Sequence, residues 1–166
     1  MASSEKNTYS STMMHANPDL ILDVPATHLN YDMCQIAVFS KPSLIESIPY
    51  FFIEKENFHL VRLALGVDGF VIKHLNADII DREMCVLASK NLRKDSEDIF
   101  LSHIPYRFID RQICLRSVRS NHSNIDYVPL KFMSDEIGKV LTLTNQNTSL
   151  AKIPLLTRKN LSQKAS

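Results

Sequence analysis

The sequence predicts an all-α chain: a stack of short-helix/long-helix hairpins, an α-solenoid-like array closed by a polar terminal cap. Three observations lead there. One phrase (apolar residues, a proline, an apolar residue, a capping residue) recurs at nearly constant spacing along most of the chain. The apolar residues after each phrase follow helical spacing rather than strand alternation. There are only 3 glycines in 166 residues, few for the tight turns of an all-β fold.

The phrase is anchored at Pro25, Pro49, Asn76, Pro105, Pro129 and Pro154, with intervals of 24, 27, 29, 24 and 25 residues. A repeat in this range is the mark of stacked supersecondary units. Four residues before the anchor stand Ile21, Ile45, Ile72, Leu101, Ile125 and Leu150; one before it stand Val24, Ile48, Leu75, Ile104, Val128 and Ile153. The pair makes one face of a short helix. Proline stops that helix, because it disfavours the α region for the residue before it. Four after the anchor come Leu29, Ile53, Ile80, Ile109 and Met133, with Arg158 breaking the series.

Five after the anchor stand Asn30, Glu54, Asp81, Asp110 and Ser134. Asn, Asp and Ser cap helix N-termini, since their side-chain oxygens accept from the free N–H groups of the first turn. Asp32, Glu56, Glu83 and Glu136, two residues further on, suit the positive end of the helix dipole. The long helix then shows apolar residues at i, i+3 and i+4, as in Met33, Ile36 and Ala37 or Ile137, Val140 and Leu141.

Taken in order, residues 1–16 are Ser/Thr-rich and expected to be a disordered lead. One repeat domain then covers 17–156. Unit one, 17–40, opens with Asn17 as cap and Pro18 at the first helical position. Unit two, 41–65, carries the aromatic group Tyr50, Phe51 and Phe52 after its proline. Unit three, 66–98, holds Gly66, expected at a helix C-terminus, and ends in the mixed-charge run 92–98, expected as an extra exposed turn or a longer helix end. Unit four, 99–120, holds Arg107, Arg111, Arg116 and Arg119; unit five is 121–145. In the half-unit 146–156 the pattern fades, as a closing cap requires. A flexible basic tail, 157–166, follows.

The phrase resembles a family of short two-helix repeats, of unknown biochemical role, in proteins of intracellular and host-associated bacteria. The resemblance is clearest from Ile104-Pro105 to Val118 and from Asn124 to Leu141. The glycine usual before the short helix is mostly missing; Lys41, Ser120 and Asn121 stand near its place, and unit three lacks its proline. The resemblance implies an all-helical array. Several members look like translocated effectors, which implies a host- or partner-directed role and no catalytic residues.

A net charge of +1 supplies no field favouring nucleic acid or membrane. No run of 18 apolar residues predicts a membrane span, and the start lacks an apolar signal core. A cytoplasmic protein is expected, translocation into a host cell being the alternative. Cys34, Cys85 and Cys114 all fall nine after an anchor, where Phe58 and Gly138 stand in other units, so each is expected to pack as a small buried hydrophobe. No metal or cofactor is expected. The six histidines fall at unrelated repeat positions, and no HExxH, GxGxxG or P-loop is present; Gly66 and Gly69 lack the lysine a phosphate loop needs. The chain is therefore not expected to be an enzyme. Cys114 with His103 or His74 is the one nucleophile scheme to inspect.

The function expected is protein–protein interaction, regulating or inhibiting a host or bacterial partner. Candidate contacts are Tyr50, Phe51 and Tyr106 after the prolines, with Arg107, Arg111, Arg116 and Arg119, because aromatic and Arg side chains dominate interface energetics. Nucleic-acid or phosphate binding through the four arginines is the alternative, and the near-zero net charge argues against nucleic acid. A homodimer through an uncapped terminal unit is the alternative to a monomer.

Overall fold

The computed structural model describes residues 9–94 and 96–143. The predicted half-unit with its cap, the basic tail, and residues 1–8 of the lead lie outside the described residues. Within them the chain is all helical, with no strand.

Each anchor is preceded by a 3₁₀ helix: Pro18–Asp23, Pro42–Ser47, Gly69–His74, Phe100–His103 and His122–Tyr127. Each is followed by a one-turn segment, helical at Tyr50–Ile53, Tyr106–Phe108 and Leu130–Phe132 and a plain turn at 26–28 and 77–79. The long helices are Tyr31–Ser40, Lys55–Val67, Arg82–Lys90, Arg111–Ser120 and Asp135–Leu143. A unit thus has three pieces, not two. The anchor makes the third: Pro49, Pro105 and Pro129 take extended ψ of 136°, 128° and 138°, which ends the 3₁₀ helix. Their carbonyls then accept from Phe52, Phe108 and Phe132 N–H at 2.9, 2.8 and 2.8 Å, which closes the turn. Asn76 does the same without proline. Its carbonyl accepts from Ile79 N at 3.1 Å and its side chain from Asp78 N at 3.0 Å, an Asx turn.

The caps form where the sequence places them. Asn30, Asp81 and Asp110 side chains accept from Met33, Met84 and Ile113 N–H at 2.9, 2.7 and 2.9 Å. Ser134 sits in the same relation to Ile137 at 3.5 Å, too long to count for much. Glu54 makes no capping bond. The short helices have caps of their own, at Asn17, Asp68 and Asn121.

The apolar positions around the anchors make the core. Ile21, Ile45, Ile72, Leu101 and Ile125 are buried, as are Val24, Ile48, Ile104 and Val128, while Leu75 is half-buried. Each long helix packs on the next, and each 3₁₀ helix from unit two onward packs on its successor. Asn124, fully buried, stitches units four and five together: it accepts from Leu101 N at 2.8 Å and donates to Ser117 O at 3.2 Å and Asn121 O at 3.0 Å. Ion pairs join units at the surface, including Arg62 to Asp81 (2.8 Å) and Arg82 to Asp110 (3.0 Å), so each capping Asp also receives an Arg from the unit before it. Such exposed pairs contribute about 0–1 kcal/mol each and act mainly on register.

Three expectations need correction, and a fourth resolves between its alternatives. The lead is not disordered over its last residues: Ser11–Ala16 is helical and buries Met14 completely against Tyr31–Ser40. Gly66 does not end a helix; the helix runs through Val67, and Asp68 follows in extended backbone. Phe58 is not the counterpart of the cysteines. The interval from Pro49 is 27 residues against 24 from Pro25, and the extra three fall at the start of the long helix. They shift the buried set to Leu60, Val61, Ala64 and Leu65, so Val61 occupies the cysteine position. Phe58 is left half-buried with φ of 59°, the left-handed region that disfavours a side chain. Of the two forms expected for the run after Asn91, the structure has the extra exposed turn: Arg93, Lys94 and Glu97 face solvent. The helix stops at Lys90, and Ser120 and Asn121 side chains donate to the carbonyls of Arg93 and Ser96.

Candidate functional site

In three units the turn after the anchor presents large apolar side chains to solvent; Leu22, Phe39, Val67 and Tyr127 are exposed elsewhere. The geometry of the turn explains its exposure. With the anchor extended and the residue four later buried (Ile53, Ile109) or half-buried (Met133), the first residue of the turn points away from the core. That residue is Tyr50 in unit two, Tyr106 in unit four and Leu130 in unit five, exposed by 53%, 67% and 76%. Phe51 is exposed by 62% and stacks on buried Phe52 with ring centroids 4.0 Å apart. Turns of neighbouring units lie side by side. Lys131 Nζ of unit five sits 5.4 Å from the centre of the Tyr106 ring of unit four. The Tyr50 hydroxyl is held above its ordinary pKa by a hydrogen bond to Glu54, with Asp78 of the next turn adding to it.

The four arginines of unit four do not form one surface. Arg107 is exposed and lies over its neighbour Phe108, 4.6 Å from the ring centre. Arg111 and Arg119 both approach Glu136 of unit five, at 3.9 and 3.2 Å. Arg116 turns instead toward unit three, where its Nη1 donates to Ser89 Oγ at 3.0 Å. Asp110, the capping residue beside Arg111, pairs with Arg82 of unit three. Tyr106, Arg107 and Arg111 are thus exposed beside or just beyond one turn, whereas Arg116 and Arg119 line a cleft at the far end of the same helix. Sequence reasoning passed over Leu130, although it holds the same place after its proline as Tyr50 and Tyr106. It also passed over Lys90 and Lys94, which share that cleft. Their spacing from Arg116 carries no local signal, since the helices that bring them together belong to different units.

The cysteines are fully buried. Burial pushes the Cys34 thiol to about 11, and those of Cys85 and Cys114 to about 12 with help from Asp81 and Asp110 respectively, so at neutral pH all three are protonated. His103, the half-buried candidate base, has its pKa lowered by burial first of all, against the opposing pull of Asp98. His74 Nδ1 lies 3.0 Å from Glu46. Among the described residues no hydrogen bond joins Cys114 to either histidine, and no group of His, Cys, Asp and Glu converges on a point that could hold a metal ion. Nor is any helix there long and apolar enough to cross a membrane.

Comparison of the chain with protein-family models, with curated proteins and with solved structures finds no match.

Proposed function

We propose that the chain is a protein-recognition module: a solenoid-like stack of repeats whose post-proline edge docks on a partner protein and modulates or inhibits it. The observation that carries this reading is the set Tyr50, Phe51, Tyr106 and Leu130, exposed in equivalent turns of three units. Isolated surface apolar residues need no explanation, but residues repeated at one structural position form an edge rather than scatter. Tyr and Phe supply much contact area for little lost side-chain entropy, and Arg107 adds a charge beside them. This edge suits a partner with an apolar groove and carboxylates at its rim. The resemblance to repeats of host-associated bacteria supports a host protein as that partner, in the manner of a translocated effector.

Photo-crosslinking amino acids placed at Phe51, Tyr106 and Leu130, with Asp32 on a long helix as control, test the edge. The expected result is one shared partner captured from all three turn positions and not from Asp32. In direct titration with that partner, Tyr106→Ala weakens binding by about tenfold or more, the scale of a central aromatic contact. Capture through Asp32 alone, or an affinity unchanged by Tyr106→Ala, would remove the edge as the contact.

A further inference from the structure

We propose that the cleft between the ends of the helices Arg82–Lys90 and Arg111–Ser120 binds a phosphate monoester group. It lies at the opposite end of these helices from the turns and does not depend on the reading above.

The cleft measures about 270 Å³ and is lined by Lys90, Lys94, Arg116 and Arg119 together with Ser89, Ser120 and the apolar Leu92. No carboxylate lines it among the described residues. Several cations elsewhere on the surface are answered by acids: Lys41 by Asp19 at 2.6 Å, Lys73 by Asp98 at 2.9 Å, Arg62 by Asp81 at 2.8 Å and Arg93 by Asp68 at 3.0 Å; Arg107 and Lys131 lie over aromatic rings instead. Lys90, Lys94 and Arg116 have no carboxylate at ion-pair distance among the described residues, and Arg119 shares Glu136 with Arg111.

The helix dipoles explain only part of this charge. Lys90 and Arg119 stand in last turns, where each helix end presents roughly −0.5 of a charge. Lys94 lies beyond its helix and Arg116 in the middle of one. With Glu136 answering Arg119, two half-charges still leave Lys90, Lys94 and Arg116 in excess, a repulsion that an anion relieves.

Arg116 is also prepared for a ligand. Ser89, almost fully buried, donates its hydroxyl proton to Val86 O at 2.8 Å, so its oxygen accepts from Arg116 at 3.0 Å. One Nη1–H is thereby fixed, which sets the guanidinium plane and leaves its other donors for a forked contact with an oxyanion. The lysines add point charges from two sides. A dianionic tetrahedral group fits this arrangement better than a nucleic-acid strand, which calls for cations spread along a track. The group comes either from a phosphorylated protein side chain or from a small phosphorylated molecule.

Calorimetric titration of the full chain tests this. The probes are inorganic phosphate, a phosphoserine peptide, its unphosphorylated form and a single-stranded oligonucleotide. Saturable one-site binding of inorganic phosphate or the phosphopeptide is expected, with the unphosphorylated peptide weaker by about tenfold or more. Arg116→Gln is expected to lose about tenfold, the scale of one charge-assisted hydrogen-bonded contact. Lys94→Gln, at an exposed loop position, is expected to lose about threefold, and Lys131→Gln nothing. A phosphopeptide that binds more tightly than free phosphate identifies a protein source; equal affinities identify a small molecule. The proposal is overturned if no phosphate-bearing probe saturates, or if Arg116→Gln and Lys94→Gln both bind as the parent chain does. It is also overturned if the oligonucleotide outcompetes the phosphopeptide with a steep salt dependence.

Discussion

Cys34, Cys85 and Cys114 occupy one structural position, and its local geometry explains the choice of residue. Each amide makes the first hydrogen bond of its long helix, to the carbonyl of the capping residue: Cys34 to Asn30 at 3.2 Å, Cys85 to Asp81 at 3.2 Å, Cys114 to Asp110 at 3.0 Å. Gly138 makes the same bond to Ser134 at 3.0 Å. The position is buried in every unit, and Val61 is the largest side chain found there. Burial raises the thiol pKa values in the folded chain, whereas the unfolded chain ionises near 9.0. The stability this represents is complete below about pH 9. It falls as pH rises toward 11–12, by about 1.4 kcal/mol per pH unit for each thiol. Urea unfolding at pH 8 and pH 10 is therefore expected to show a marked alkaline loss, smaller in the variant with all three cysteines replaced by alanine. Equal losses in the two proteins would show that the thiols ionise as readily folded as unfolded. That these cysteines are core residues was legible in the sequence, because they share a register with one another. The place of Phe58 was not: counting from the proline assumes equal spacing, and nothing local announces where three extra residues enter.

At the scale of the element, the sequence shows where helices begin better than where they stop. Asn30, Asp81 and Asp110 mark starts through a chemistry that only a few side chains possess. Helix ends here lack that signal, since the long helices close into extended residues such as Asp68 and Asn121 without a left-handed glycine. Gly66 was misplaced for this reason, and Gly69 turns out to carry the structural demand. A Cβ on Gly69 would collide with the backbone oxygen of Ala88, and the Gly69 amide donates to Asn91 O at 2.9 Å. The short helix of unit three thus lies backbone to backbone against its own long helix. Gly69→Ala must push one of them aside, at a cost of about 2 kcal/mol or more. Gly66 has nothing within 4 Å of its would-be Cβ and sits inside a helix, so Gly66→Ala is expected to stabilise by about 0.5–1 kcal/mol. Denaturant midpoints of the two variants check the pair, and a Gly69→Ala protein as stable as the parent would refute the close approach. The cleft was illegible for a related reason: its cations are separated by a unit of sequence, and only the packing of one long helix on the next brings them together.

For the whole molecule, the main packing contacts join elements of one unit or of adjacent units, with the opening helix Ser11–Ala16 resting on unit one. With a net charge of +1 there is also little long-range electrostatic force to couple distant units. Stability is then expected to build up unit by unit, as a sum of local terms and nearest-neighbour interfaces. Deleting everything after Asn121 tests this. The deletion removes the 3₁₀ helix and the long helix that cover Arg111–Ser120, and it leaves the Leu101 amide without the Asn124 side chain that accepts from it. The main packing partners of the helices in units one to three all remain. The truncated chain is expected to keep nearly the same helicity per residue by circular dichroism while unfolding at lower denaturant. The loss in stability should be several kcal/mol, the order set by uncovering a buried face and orphaning a buried amide. Hydrogen exchange places that loss: protection falls in Phe100–Ser120 and is retained in Tyr31–Ser40. A truncated chain that loses helicity throughout would mean that the units depend on a core shared by all of them, and the reading of an array of neighbours would fail with it.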